Sequence, residues 1–189
     1  VLADGIIEGR KTFANTLKYI FINTGATFGN MFSVAGASLM LPFLPMLPKQ
    51  ILLTNFITDF PYLAVASDNV DDEQIREPGK WNLKILRNFM IVFGLHSSAF
   101  DFITFYTLFK YFKVPDSLFQ TGWFTESIIT ELLILFIIRT RRSFIKSKPG
   151  KYLLWFSVLS LFITLALPFT PLGPELGLAR LPLNVAVAI

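Results

Sequence analysis

ILLTNFITDFPYLAVA, residues 51–66, is the stretch on which the reading of this chain turns. It is greasy enough for a bilayer, yet Asn55, Thr58 and Asp59 fall at i, i+3 and i+4 and therefore share one helical face. Carboxylate, amide carbonyl and hydroxyl oxygens are what a hard cation such as Mg²⁺ or Ca²⁺ accepts. Pro61 lacks an N–H, which predicts a short, interrupted helix with freed backbone carbonyls that could also meet an ion. An acid at mid-membrane costs roughly 2.5–3.5 kcal/mol on insertion scales. Hydrogen bonding to a neighbouring helix, the competing explanation, returns about 0.6 kcal/mol on average. The balance favours a functional Asp59.

Working outward, a helix needs about 20 mainly apolar residues to cross roughly 30 Å of hydrocarbon. Residues 18–49 hold no charge between their ends, and residues 49–68 hold only Asp59. Residues 87–110 are interrupted by His96 and Asp101, residues 116–139 by Glu126 and Glu131, and residues 151–175 by nothing charged. The apolar run 181–189 is too short to cross and reads as a truncated span. The expected fold is therefore all-α, a polytopic transmembrane helix bundle with five complete spans and the start of a sixth. Residues 1–18, with Leu2, Ile6, Phe13 and Leu17 at near-helical spacing among charges, are expected to form a solvated stalk helix leading into the membrane region 19–189. Pro42, Pro45 and Pro48 predict a short, stiff first turn.

Composition agrees. Of 189 residues 53% are hydrophobic and 16% charged, with 21 Phe and a mean hydropathy of +0.56, more apolar surface than one soluble core hides. The absence of Cys excludes disulfides and thiolate metal sites, and the lone His removes most zinc options. A pI near 9.4 could suggest nucleic acid, but the basic residues sit in short runs between apolar stretches rather than on one face, so no nucleic-acid partner is expected. Thirteen Lys and Arg, among them Arg141, fall on the side of the amino terminus and four on the other, which places that terminus in the cytoplasm. The chain begins with Val and ends on an apolar run, as a piece of a longer protein would.

Other polar residues lie where lipid should exclude them. Thr27 and Asn30 share a face of the first span and could complete an oxygen cage, while Gly25, Gly29 and Gly36 have a simpler use in letting backbones approach. Ser127, Thr130 and Glu131 form a stripe on the fourth span. Glu131 is the deeper acid and a candidate ligand, with Glu126 nearer the outer end. In the third span Ser97, Asp101 and Thr104 line one face, and Asp101 is expected to pair with a polar partner. His96 reads as a packing residue.

GRKTFANTLKYI (9–20), FGN (28–30), LPFLPMLP (41–48), TNFITDFP (54–61) and DNVDDEQI (68–75) resemble P-type ATPases. WFTESIITELLILFIIRTRR (123–142) and ALPFTPL (166–172) narrow the resemblance to the bacterial magnesium-transporting branch. The resemblance implies helices five to nine, and the start of the tenth, of a ten-helix pump in the cell membrane. It also implies Mg²⁺ as the cargo, moved into the cytoplasm. Asn55 and Asp59 match ion ligands of the family and Thr58 a ligand position of the calcium pumps. Asn30 stands where calcium pumps carry a carboxylate, which removes one charge. The phosphorylation motif, nucleotide loop and actuator motif are missing from the chain, so ATP would act only through other domains of the same pump. The expected metal set is Asn55, Asp59, Thr58, Asn30, Thr27 and Glu131, with the lipid bilayer and those domains as partners. A proton or Ca²⁺ pump fragment and a stand-alone structural or regulatory membrane protein are the alternatives.

Overall fold

The computed structural model describes residues 2–76, 79–140, 142–143 and 146–189. Arg141, counted in the charge asymmetry and in the RTRR ending, and Glu77 and Pro78 lie outside the described residues.

Among the described residues all regular structure is helical. The long elements are α1 (Leu2–Met40), α2 (Pro48–Ala64), α4 (Leu83–Tyr106), α5 (Asp116–Ile138) and α6 (Lys151–Ala166); α3 (Asp72–Ile75), α7 (Leu172–Glu175) and α8 (Leu183–Ala186) are single turns. A π-helical turn extends α4 to Tyr111, and a 3-10 turn extends α6 to Phe169.

Among the described residues three helices are long and apolar enough to cross a membrane: Leu83–Tyr111, Asp116–Ile138 and Lys151–Phe169. The other two expected spans have a different character. α2 is 17 residues long, and the distal part of α1 is diluted by Asn, Thr, Ser and Gly. Within the run expected to begin a sixth span, only the four residues of α8 are helical.

α1 is continuous from the expected stalk into the expected first span. Its buried residues, Asn15, Lys18, Ile22, Gly25, Gly29, Ser33 and Ala37, recur every three or four positions and so form one stripe. That stripe packs chiefly on α4. The helices touch backbone to backbone at Gly29 and Gly94, as the small residues of the first span implied, and Ser98 Oγ donates to both Gly29 O (3.0 Å) and Gly94 O (2.9 Å). A Cβ at Gly29 would lie 3.1 Å from the Gly94 carbonyl oxygen, an atom that cannot swing away. Gly29→Leu is therefore expected to force the helices apart and cost about 1–3 kcal/mol, read as a lower unfolding midpoint in detergent.

α5 is the central helix. Every residue from Phe119 to Ile128 is buried, and 61% of its apolar window is covered, against 33% for α4 and 28% for α6. Phe105 stacks edge-on against Trp123 with 4.8 Å between ring centres, and Phe119, Phe124, Leu108 and Ile128 fill the core around them.

Pro48 opens α2 at a position where no N–H is needed. Pro61 behaves differently from expectation. The helix is not interrupted there but runs through to Ala64. The carbonyl that Pro61 leaves unserved, Ile57 O, accepts a hydrogen bond from Ser160 Oγ of α6 at 2.8 Å. A hydroxyl on a neighbouring helix offsets the missing N–H, and the break becomes a helix contact.

At the end of the bundle that holds the 68–76 loop, a buried charge cluster joins four segments. Asp68 Oδ2 accepts from Lys18 Nζ (3.0 Å) and Arg139 Nε (2.9 Å), while Oδ1 accepts from Gly150 N (2.8 Å). Arg139 also donates to the carbonyls of Ser147 and Lys148, and Asn15 Nδ2 to those of Ala66 and Asp68. Burial pushes the Lys18 ammonium below its usual value, and Asp68 pulls it partly back. That Asp68 is sealed at 5% exposure was not visible in the sequence.

Asp71, three residues on, accepts from Thr140 Oγ1 (2.5 Å) and Ser147 Oγ (2.8 Å). Burial raises its carboxyl, but these two bonds and the charge of Arg142 outweigh burial and hold it below the usual 3.8. A carboxylate depressed on folding stabilises above its unfolded value, and that stability fades as pH falls through the lower folded value. Hydrogen-exchange protection of residues 68–76 is thus expected to be complete at neutral pH and to decline only below 3.8. Loss of protection already near neutrality would contradict it.

Candidate functional site: an oxygen-lined cavity

α1, α2 and α5 surround a cavity of about 590 Å³. α1 supplies Asn23, Thr27 and Asn30, α2 supplies Asn55, Thr58, Asp59 and Tyr62, and α5 supplies Ser127 and Glu131, with Met31, Met46, Ile51 and Trp123 as apolar wall. All six residues singled out from the sequence line this one space. Helical spacing explains it: 23, 27 and 30 share a face of α1, as 55, 58, 59 and 62 share a face of α2 and 127 and 131 a face of α5.

The six are not equivalent. Asn55 and Asp59 are exposed to the cavity, and among the described residues no side chain hydrogen-bonds either of theirs. Thr58 is buried at 2% exposure, with its hydroxyl donating to Thr54 O at 3.1 Å and its lone pairs left to accept. Thr27 Oγ1 donates to Asn23 Oδ1 at 3.5 Å.

Glu131 has both oxygens engaged: Oε1 accepts from Asn30 Nδ2 (2.7 Å) and Oε2 from Tyr62 OH (2.8 Å). Asn30 Oδ1 in turn accepts from Ser127 Oγ at 3.5 Å. Glu131 thereby ties α1, α2 and α5 together at the cavity wall, whereas Asp59 carries the carboxylate that stands open. The sequence reading missed Tyr62. Its signal was available, because residue 62 lies four positions after Thr58 on the same face.

Among the described residues no three His, Cys, Asp or Glu side chains gather as a metal cluster. A cation in this cavity would therefore draw on one free carboxylate, on amide and hydroxyl oxygens, and on water. Asp101 lies outside the cavity and pairs as expected, accepting from Ser33 Oγ and Trp123 Nε1. His96 is exposed and meets Phe100 edge-on.

Apolar helices around an oxygen-lined cavity define the class as a multi-pass membrane segment suited to holding a small cation. A family model described as "Cation transporting ATPase, C-terminus" matches residues 43–189, and the chain belongs to that family. It is 47% identical over 189 residues to a protein of Escherichia coli K12 named magnesium-transporting ATPase, P-type 1, covering 97% of this chain and 21% of that protein. A protein of the same name from Salmonella typhimurium is 45% identical with the same coverage. A putative cation-transporting ATPase of Methanocaldococcus jannaschii is 27% identical over 156 residues, 82% of this chain and 19% of that protein. The chain thus spans about a fifth of the length of the curated relatives it matches.

Proposed function

We propose that this chain forms the ion-binding membrane half of an ATP-driven pump that carries Mg²⁺ into the cytoplasm. The observation that carries the reading is the convergence of Thr27, Asn30, Asn55, Thr58, Asp59 and Glu131 on one cavity, with the Asp59 carboxylate open to it. Mg²⁺ sheds water reluctantly and is usually held by one or two carboxylates with several waters retained. One free acid in a cavity of about 590 Å³, ringed by neutral oxygens, suits a partly hydrated ion of that kind. The names of the relatives point to the same cargo.

In this reading α1 and α2 cross the membrane beside the three apolar helices, giving five spans, and residues 181–189 begin a sixth. Residues 1–18 form a cytoplasmic stalk, and the charge asymmetry sets the amino terminus in the cytoplasm. Phosphorylation by ATP belongs to other domains of the pump, and α1 is the rigid element through which their movement reaches Asn30. The cell membrane is the site of action.

The test is transport by the full-length protein in proteoliposomes, with Mg²⁺ on the transport side and pH varied independently. Uptake that saturates with Mg²⁺ at constant pH is expected. ATP-dependent transport that follows pH and ignores Mg²⁺ would replace this reading with a proton pump.

A further inference from the structure

Behind the Trp123 wall of the cavity lie two acids that the proposed transport does not use. Glu126 of α5 is 5% exposed. Its Oε1 accepts from Thr130 Oγ1 at 2.7 Å, and its Oε2 is buried with no hydrogen-bond partner. The carboxyl of Asp101 on α4, 2% exposed, lies within hydrogen-bonding reach of Glu126. Neither residue lines the cation cavity.

The two acids are served unequally. Asp101 Oδ2 accepts from Ser33 Oγ at 2.5 Å and Oδ1 from Trp123 Nε1 at 2.7 Å, so both of its oxygens have a donor from another helix. That is the environment of an ionised carboxylate. Glu126 has one neutral donor and one orphan oxygen. A carboxylate oxygen only accepts, so two ionised carboxyls side by side cannot satisfy each other, and out of water they repel. No basic side chain among the described residues relieves this. α1 presents Ser33, α4 presents Asp101, and α5 presents Glu126 with Glu131 a little over one turn further on, while His96 of α4 is exposed against Phe100.

We infer that Asp101 and Glu126 form a proton-binding site: a single proton, carried on Glu126, is donated to the Asp101 carboxylate and closes the junction of α1, α4 and α5. The orphan oxygen is then a hydroxyl donor, and every polar atom of the pair is satisfied. The junction carries one negative charge in place of two, and that charge is spread over the Ser33 hydroxyl, the Trp123 indole and the Glu126 hydroxyl. A metal ion is the poorer occupant, since both Asp101 oxygens already accept from donors.

The experiment is infrared difference spectroscopy on the full-length protein, wild type against Glu126→Gln, in the carbonyl region of protonated carboxylic acids. One band is expected in the wild type, shifted down in D₂O and lost in Glu126→Gln. Mg²⁺ uptake should stay within about twofold, because the amide N–H replaces the hydroxyl as donor to Asp101. Asp101→Asn should move the band to higher frequency, since the proton loses a charged acceptor. A spectrum that Glu126→Gln leaves unchanged would overturn the inference. So would a variant that fails to fold or loses a bound metal ion. The spectroscopic result stands apart from the transport reading, because it requires no cation and no turnover.

Discussion

Replacing Asp68 by Asn in the full-length protein is expected to destabilise the bundle by about 3–5 kcal/mol, the usual cost of removing one partner from a buried ion pair. The amide keeps the size of the carboxylate but not its charge. Lys18 and Arg139, whose side chains are 6% and 1% exposed, would then face each other as two buried cations over a neutral group. Arg139 cannot escape by losing its proton. Lys18 can, since burial has already lowered its proton affinity, so the damage should be greatest at acidic and neutral pH and partly relieved in alkali. Lys18→Met should cost less, because Asp68 keeps Arg139 and the Gly150 N–H. Chemical unfolding in detergent measures both, and a loss below about 1 kcal/mol for Asp68→Asn would mean that water reaches the cluster.

Asp59→Asn is the opposite kind of change. Apparent Mg²⁺ affinity in uptake is expected to fall by about tenfold or more, as ligand charge count governs affinity at oxygen sites. Stability should move by no more than about 0.5 kcal/mol, because no described side chain hydrogen-bonds Asp59 and it is exposed. The pairing of a large functional loss with an unchanged unfolding midpoint separates an ion ligand from a residue that merely holds helices together. If the midpoint fell and uptake survived, Asp59 would be a packing residue, and the proposed site would lose its one open charge.

These two aspartates mark what local pattern reveals. Asp59 was conspicuous because its companions Asn55 and Thr58 lie within one helical turn, and turn spacing is a property of the chain alone. Asp68 was inconspicuous because Lys18 and Arg139 are 50 and 71 positions away, and nothing in a charged loop tells which of its acids will be buried. Pro61 teaches the same lesson from the other side. Its missing N–H was legible and suggested a broken helix, but Ser160, 99 positions later in the sequence, decides that Ile57 O is satisfied and the helix continues.

From its residues alone the chain determined that it is helical and apolar, which oxygens share a face on each of three helices, and where glycines on the first span allow a close backbone approach, because hydropathy and period act over neighbouring positions. Only the tertiary structure decided that those three faces turn toward one cavity, that Glu131 is engaged by Asn30 and Tyr62 while Asp59 stands free, and that Asp101 and Glu126 lie together. Each of these depends on how whole helices cross, and crossing geometry is set by packing between residues far apart in the chain.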